Sequence, residues 1–153
     1  MERTLVILKP SAIARELVGA VIERFQRRGL IIQGLKMIQL DDAILKEHYA
    51  HLVDKPFFPS LARSMKATPV IVMALAGLDA VNVVRAMTGA TNGRNATPGT
   101  IRGDFCVSNQ QNIVHASDSV ENANIELKRF FSDNELFDYQ TANFRTIYAD
   151  DEV

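Results

Sequence analysis

The stretch Leu5-Val6-Ile7-Leu8-Lys9-Pro10 decides the fold, because it is a short, wholly apolar run that stops abruptly at a lysine and a proline. An apolar run of this length without alternation predicts a central strand that is buried on both faces. Leu30 to Leu40 is rich in β-forming residues and predicts a second strand, and Pro69 to Ala76 predicts a third. Ile113-Val114 predicts a short fourth strand.

Helical spacing of apolar residues predicts the elements between and after these strands. The first predicted helix has Val18, Val21, Ile22 and Phe25 on its apolar face and Gly29 as C-cap, and the second has Leu45, Tyr49 and Leu52 after an N-cap at Asp41 or Asp42. The third has Phe57, Leu61 and Met65 after Pro56, and the fourth has Val81 and Val84 between an N-cap at Asp79 and Gly89. The fifth has Val120, Ala123, Leu127 and Phe131 after a capping box of Asp118 and Glu121. The order of elements predicts an α+β protein of the ferredoxin-like βαββαβ type. We expect an antiparallel sheet with covering helices, extra helices inserted between the middle strands, and a long loop of glycine and arginine.

Composition sets limits on what the protein does. With 153 residues and 47% hydrophobic side chains, we expect one domain over residues 1–153, whose aromatic segment 137–153 packs on the body or on a neighbouring subunit. A net charge of −1 gives no overall field for nucleic acid or an anionic membrane. The single cysteine, Cys106, excludes an internal disulfide. No apolar run has the length of a membrane span or signal peptide, so we expect a cytoplasmic protein with no membrane partner.

The segment between Asp79 and Asp104 contains no acidic residue, although it is rich in groups that bind anions. It carries three arginines and four glycines among hydroxyl and amide side chains: Arg85, Arg94, Arg102, Gly89, Gly93, Gly99 and Gly103. Guanidinium forks and glycine-rich backbone suit phosphate oxygens. The segment indicates a phosphate site, with a solvated surface loop as the alternative.

Three histidines are candidates for chemistry. His48 and His51 are three residues apart, but no third ligand follows at metal-site spacing, so we predict structural histidines and no metal centre. His115 ends an apolar strand and precedes a small, polar stretch. Glu126, two turns into the next helix, could reach one ring nitrogen, fix the tautomer and leave the other nitrogen free to attack. A purely structural histidine is the alternative.

The stretch Asn112-Ile113-Val114-His115-Ala116-Ser117-Asp118-Ser119 closely resembles the active-site signature of the nucleoside diphosphate kinases. That signature is Asn, two variable residues, His, Gly or Ala, Ser-Asp and a small residue. Further stretches resemble segments of the same family in the same order: Thr4 to Pro10, Glu47-His48-Tyr49, Lys55-Pro56-Phe57-Phe58, Thr91-Asn92, and Pro98 to Phe105. The resemblance runs along nearly the whole chain.

Members of this family move the terminal phosphoryl group of a nucleoside triphosphate, such as ATP, to a nucleoside diphosphate through a phosphohistidine, in a ping-pong reaction. The resemblance implies these roles: His115 as nucleophile; Ser117 and Glu126 orienting its ring; Lys9, Tyr49, Arg85, Thr91 and Arg102 around the phosphates; Asn112 on the ribose; Phe57 stacked on the base with Leu61 beside it. It also implies Mg²⁺ bound through the nucleotide phosphates, and a homo-oligomer, either a hexamer or a tetramer.

Two other functions are alternatives to this one. A nucleotide-binding regulator without turnover would have no need to retain Lys9, Arg102, Asn112, His115 and Glu126 together. A nucleic-acid-binding role is disfavoured, because the chain has no extended basic stripe.

Three positions depart from the commoner family pattern. Ser11 follows the Lys-Pro pair where Asp or Asn is usual, and Asn109 replaces a small apolar residue. Thr91-Asn92-Gly93-Arg94 replaces the usual Thr-Asn-Pro run. None of these changes alters the predicted nucleophile.

Overall fold

A four-stranded antiparallel sheet organises the chain in the computed structural model, which describes residues 1–153. Its strands are β1 (Glu2–Leu8), β2 (Ile31–Ile38), β3 (Val70–Gly77) and β4 (Val114–Ala116). They lie in the order β2-β3-β1-β4, and each neighbouring pair is antiparallel. This is the predicted ferredoxin-like arrangement.

Eight helices surround the sheet: α1 (Pro10–Ala14), α2 (Val18–Arg27), α3 (Asp42–His48), α4 (Phe58–Met65), α5 (Ala80–Thr88), α6 (Ile101–Phe105), α7 (Val120–Phe130) and α8 (Phe144–Ile147). Short 3₁₀ turns occupy Ala50–Leu52, Gly93–Asn95 and Asp133–Glu135. Helices α3 and α4 lie between β2 and β3 in sequence, so the predicted insertion is confirmed. None of the helices has the length and apolar character needed to cross a membrane.

The centre of the sheet is buried on both faces, which explains the unbroken apolar run in β1. Leu5 to Leu8 are fully buried. Since successive strand residues point to opposite faces, the even-numbered members pack with Phe25 of α2 and Val84 of α5. The odd-numbered members pack with Leu45 of α3 and Leu127 of α7. The predicted central strand is confirmed, and β1 ends at the residue before Lys9.

The limits of two inserted helices differ from the prediction. The side chain of Asp41 caps α3 by accepting from the Ile44 amide at 2.9 Å, as expected. However, α3 ends at His48, so Tyr49 and Leu52 lie beyond it and do not continue its face. Helix α4 begins at Phe58 rather than at Pro56.

The side chains predicted to cap the two later helices do not do so, although Asp79 holds the N-cap position of α5 as predicted. Asp79 precedes α5 in the left-handed conformation with φ 51°, and its side chain caps no backbone amide. The Glu2 carboxylate accepts from the Val81 amide at 2.7 Å instead. Helix α7 starts at Val120, so the side chain next to its first-turn amides is that of Ser119, which accepts from the Asn122 amide at 3.1 Å.

The apolar stripe of α7 is also narrower than predicted. Ala123 and Leu127 are buried, whereas Val120 is 48% exposed and Phe131 is buried just after the helix has ended. Phe130 takes the last buried position within the helix.

The C-terminal segment lies along the outer strand and the end of the sheet. The Phe137 amide donates to the Gln33 carbonyl of β2 at 2.8 Å, and the Tyr139 hydroxyl donates to the Ile32 carbonyl at the same distance. Phe144 of α8 is buried against Ile31 and other residues at the end of the sheet.

Candidate active site

A cavity of about 670 Å³ opens at the ends of α3 and α5 and is bounded by β4 and α7. Eight of the predicted site residues line it: Lys9, Tyr49, Arg85, Thr91, Arg102, Asn112, His115 and Glu126. They come from distant parts of the sequence. The sheet brings them together because β4, which carries His115, pairs with the end of β1 that precedes Lys9.

His115 lies at the middle of β4, opposite Ile7 in the sheet. The residue that begins the turn into this strand, Ile113, is fully buried and has a positive φ of 58°. This conformation is rare for a β-branched residue and costs of the order of 1–3 kcal/mol. The Lys9 amide donates to the Ile113 carbonyl at 2.9 Å, which ties this turn to the end of β1.

The imidazole of His115 contacts a carboxylate through one ring nitrogen. Nε2 lies 3.2 Å from both carboxylate oxygens of Glu126. Because an ionised carboxylate only accepts, Nε2 carries a proton, and the lone pair of the neutral ring is therefore on Nδ1. The structure therefore brings Glu126 into contact with the His115 ring, as expected for a residue two turns into the helix that follows.

Ser117 lies beneath this pair and does not line the cavity. It is fully buried, and its hydroxyl donates to Glu126 Oε2 at 2.5 Å. Burial of Glu126 would raise the pKa of its carboxyl, but the hydrogen bonds and charge from His115 and the hydrogen bond from Ser117 outweigh burial and lower that pKa. The carboxylate is therefore ionised when it orients the ring.

Lys9 extends into the cavity from the first turn after β1. Its Nζ donates to Asn112 Oδ1 at 2.7 Å. Burial, reinforced by the charge of Arg102, lowers the pKa of Lys9 to about 8. The Asn112 amide group in turn donates to the carbonyls of Thr91 at 3.0 Å and Asn109 at 2.8 Å, so this amide is fixed on both sides.

Arg102 is buried, and part of its guanidinium is already hydrogen-bonded to the protein backbone. It is 8% exposed, and it donates to three backbone carbonyls, those of Gly89, Asn112 and Val114, at 2.8, 3.3 and 2.6 Å. The guanidinium has five N–H groups, so donors remain for the cavity. Arg102 therefore joins the loop after α5 to β4 and also places a positive charge between them.

The two other arginines of the acid-free segment lie in different surroundings. Arg85 is exposed on the cavity wall together with Thr91. Arg94 does not line the cavity, because its guanidinium donates to the Val107 carbonyl at 2.9 Å. Gly93 is buried, and a Cβ there would lie 2.5 Å from the backbone of Cys106, so this loop requires a residue without a side chain.

Two predicted base contacts lie outside the cavity lining. Phe57 is the residue before α4 and is 53% exposed, and Leu61 is half-buried on the same helix. Tyr49 does line the cavity, and it is 8% exposed with a hydroxyl that has no hydrogen-bond partner. Burial, followed by the charge of Glu126, raises the pKa of Tyr49 to about 12, so the hydroxyl stays protonated.

The sequence did not identify every residue of this site. His48 is buried and packs edge-to-face on His115, with ring centroids 4.7 Å apart. Arg129, His51 and Asp118 also line the cavity. The position of Arg129, one turn after Glu126 on α7, could have indicated it, since residues three apart on a helix share a face.

This constellation is a cationic cavity with an oriented histidine at its edge, which is the arrangement that a phosphotransferase needs. The sequence profile of the nucleoside diphosphate kinases matches residues 2–136. The chain is 57% identical to the nucleoside diphosphate kinase of Parabacteroides distasonis over 99% of both chains, and 48% identical to that of Rhodopirellula baltica over 99% of this chain and 100% of the relative.

Solved structures agree with the sequence comparisons. The fold matches a halophilic nucleoside diphosphate kinase from Halobacterium salinarum in complex with CDP, with a TM-score of 0.93, 38% identity and coverage of 96% of this chain and 98% of the other. It also matches an enzyme from Encephalitozoon cuniculi with a TM-score of 0.92, 39% identity, and coverage of 97% of this chain and 100% of the other. The chain belongs to the nucleoside diphosphate kinase family, and it is an enzyme of the kinase class that acts on nucleotides.

Proposed function

We propose that His115 carries the phosphoryl group from donor to acceptor as a phosphohistidine. The Nδ1 lone pair attacks the terminal phosphorus of a nucleoside triphosphate such as ATP. The bond from that phosphorus to the bridging oxygen breaks, and the nucleoside diphosphate leaves with the electron pair. A second nucleoside diphosphate then attacks the phosphorus through a terminal phosphate oxygen, and the phosphorus–nitrogen bond breaks. Donor and acceptor use one cavity in turn, which gives ping-pong kinetics.

The single observation that carries this proposal is the contact between His115 and Glu126. Since Glu126 holds the proton on Nε2, the lone pair of the neutral ring lies on Nδ1, which is the nitrogen left free to attack. As Nδ1 becomes bonded to phosphorus, positive charge develops on the ring, and the ionised carboxylate stabilises it. Ser117 keeps that carboxylate in place through its short hydrogen bond.

The cations of the cavity would stabilise the transferred group. Lys9, Arg85 and Arg102 lie on the cavity wall without a carboxylate partner in an ion pair. A loose phosphoryl-transfer transition state spreads negative charge over the phosphoryl oxygens, which positively charged donors stabilise. A bound polyphosphate would also raise the pKa of Lys9, because a nearby negative charge favours the charged amine.

The nucleoside would be held by residues around the mouth of the cavity. Thr91 would contact the phosphates and Asn112 the ribose hydroxyls. Tyr49 lines the cavity, and its hydroxyl is covered but has no partner, so a small movement would bring a free donor to the phosphates. Phe57 is exposed and would stack on the base with Leu61 beside it, so recognition would tolerate every base.

Members of the family typically use the magnesium complex of the nucleotide, and the cavity fits an ion that arrives in this way. Of its three carboxylates, Glu126 is used by His115 and Ser117, and Glu47 accepts from Arg129 at 3.1 Å. Asp118 forms no ion pair and accepts only from the Asn122 side chain, at 2.6 Å, so it would also accept hydrogen bonds from the ion's hydration water. When bound, Mg²⁺ neutralises charge on the phosphate oxygens.

We also propose that residues 1–153 act as one domain in a cytoplasmic homo-oligomer, either a hexamer or a tetramer. Two large apolar side chains on the edge strand β2 support self-association, because Leu35 is 48% exposed and Met37 is 58% exposed. Light scattering distinguishes the assemblies from each other and from a monomer.

The enzymatic test is transfer of labelled terminal phosphate from ATP to GDP by the purified protein and by His115→Ala. We expect transfer by the natural chain with parallel lines in a double-reciprocal plot, and none by the variant. A regulator without turnover would bind both nucleotides and transfer nothing. Transfer that survives in His115→Ala would exclude His115 as the carrier.

A further inference from the structure

The nucleophile is packed against a second histidine that the proposed chemistry does not use. His48 is the last residue of α3, it is 8% exposed, and its ring meets that of His115 edge-to-face at an angle of 77°. Its Nδ1 lies 4.0 Å from Glu126 Oε1, the same carboxylate that holds His115. His48 is therefore close enough to compete with the nucleophile for Glu126.

Arg129 determines which nitrogen of His48 carries the proton. Its Nη1 lies 3.0 Å from His48 Nδ1, and its Nε donates to Glu47 at 3.1 Å. A guanidinium only donates, so Nδ1 of His48 must accept and the proton must lie on Nε2. Nε2 is buried and has no hydrogen-bond partner, so this tautomer is set by Arg129 rather than by an acceptor at Nε2.

The consequence for Glu126 follows from this tautomer. If Nδ1 of His48 carried the proton, its N–H would gain an acceptor in Glu126 Oε1 after a small movement, and it would relieve the unpartnered Nε2–H at the same time. Glu126 would then be shared between two imidazoles. An unprotonated Nδ1 removes this competing donor, and burial keeps His48 neutral by lowering its pKa to about 3.

We propose that Arg129 is a positioning residue for phosphoryl transfer: by occupying Nδ1 of His48, it fixes the tautomer of His48 and reserves the Glu126 carboxylate for His115. This inference rests on the proposed nucleophilic role of His115. Arg129 itself acts through His48 and Glu126, and it need not touch the nucleotide.

A metal ion is the other occupant that this cluster suggests. His48, His115 and Glu126 each offer a ligand atom, and these atoms lie within 4.8 Å of one another. However, the guanidinium of Arg129 already occupies Nδ1 of His48, and the amine of Lys9 adds positive charge to the same cavity. A divalent cation would have to displace the guanidinium or bind against the repulsion of both positive charges, so the hydrogen-bonded arrangement is favoured.

The first experiment reads the tautomer directly from long-range ¹H–¹⁵N spectra of protein labelled at histidine nitrogen. We expect His48 of the natural chain to carry its proton on Nε2, and His48 of Arg129→Met to carry it on Nδ1. Arg129→Lys keeps a cationic donor and is expected to retain the Nε2 tautomer. A proton on Nδ1 in the natural chain, or an unchanged tautomer in Arg129→Met, would overturn the proposal.

The second experiment measures the single-turnover rate of His115 phosphorylation by ATP, together with the affinity for ATP. We expect Arg129→Met to lose about tenfold in rate, as for one hydrogen bond to a charged group, with affinity within about twofold of the natural chain. The double variant Arg129→Met/His48→Phe removes the competing N–H and should recover most of the rate. Unchanged rate, weakened affinity in place of a slower rate, or a double variant slower than Arg129→Met would each contradict the proposal.

These outcomes separate this inference from the proposed function. If the natural chain forms no phosphohistidine, the nucleophilic role of His115 fails, whereas the tautomer spectra still decide whether Arg129 controls His48. If the natural chain is phosphorylated and Arg129→Met behaves identically, only the positioning role fails.

Discussion

Nε2 of His115, on strand β4, lies 3.2 Å from both carboxylate oxygens of Glu126, on helix α7, although the two residues are eleven positions apart in sequence. The contact depends on the packing of α7 against β1, because β1 is the strand that pairs with β4. Orientation of the nucleophile is therefore a property of the core. Substitutions that disturb this packing should slow phosphorylation even when they lie outside the cavity.

Ser117→Ala should weaken both the fold and the reaction. The hydroxyl that donates to Glu126 is fully buried, so its loss should lower the free energy of unfolding by about 1–3 kcal/mol. The pKa of Glu126 is lowered in the folded protein, so its contribution is present above the unfolded pKa and is lost as pH falls through the folded pKa. The stability difference should therefore shrink at acid pH.

Thermal unfolding at neutral and acid pH measures this difference. Ser119→Ala is the matched control, because it removes the α7 cap at a cost of about 1 kcal/mol but leaves the Glu126 contacts intact. We expect the control to keep its activity and to show a stability loss that does not depend on the ionisation of Glu126. A pH-independent loss in Ser117→Ala would contradict the prediction.

Lys9→Met should change how stability depends on pH. Burial lowers the pKa of Lys9 from 10.5 to about 8, so between these values the unfolded chain binds more protons than the folded chain. The natural protein should therefore gain stability relative to Lys9→Met as pH rises through this window. Denaturant unfolding at pH 7 and above pH 10 checks the sign, and a difference that stays constant would argue against the buried amine. Phosphoryl transfer by the variant should be nearly abolished.

Tyr49→Phe should separate ligand binding from folding. The hydroxyl is buried without a partner, so its removal leaves no protein group unsatisfied and should lower stability by less than about 0.5 kcal/mol. If the hydroxyl binds the nucleotide, KM should rise several-fold. Steady-state kinetics and thermal unfolding together decide the question: unchanged KM with clear destabilisation would mean that the hydroxyl serves the fold.

Phe57→Ala tests base stacking, the predicted contact that lies outside the cavity lining. The ring is 53% exposed, so its loss should hardly affect stability but should raise KM for all nucleotides by an amount worth about 1–3 kcal/mol. Phe137→Ala is a suitable control, since that ring is 63% exposed beside β2. Equal KM values for Phe57→Ala, Phe137→Ala and the natural chain would exclude stacking by Phe57.

The sheet could be predicted because its signals are local. The apolar runs at Leu5 and Pro69 specify strands buried on both faces, and the resemblance around His115 supplied the family. Helix limits were predicted less well, because capping depends on which side chain is geometrically available. The amide of Val81 is capped by Glu2 from another part of the chain, and no local pattern contains that information.

The unpredicted parts of the site are long-range polar contacts. Arg102 was expected to face phosphate, and its donation to three carbonyls depends on how β4 packs against the end of α5. His48 lies 67 positions before His115, so its packing on that ring could not be inferred from spacing. The spacing from Glu126 indicates that Arg129 faces the site, but its contact with His48 involves a different helix and has no local signal.

Intact-mass measurement of the purified protein after incubation with ATP alone tests the central claim most directly. We predict a mass gain of one phosphoryl group, which is lost in acid and is transferred to added GDP. His115→Ala should show no gain under the same conditions. Absence of the adduct in the natural chain, or its presence in His115→Ala, would contradict phosphoryl transfer through His115.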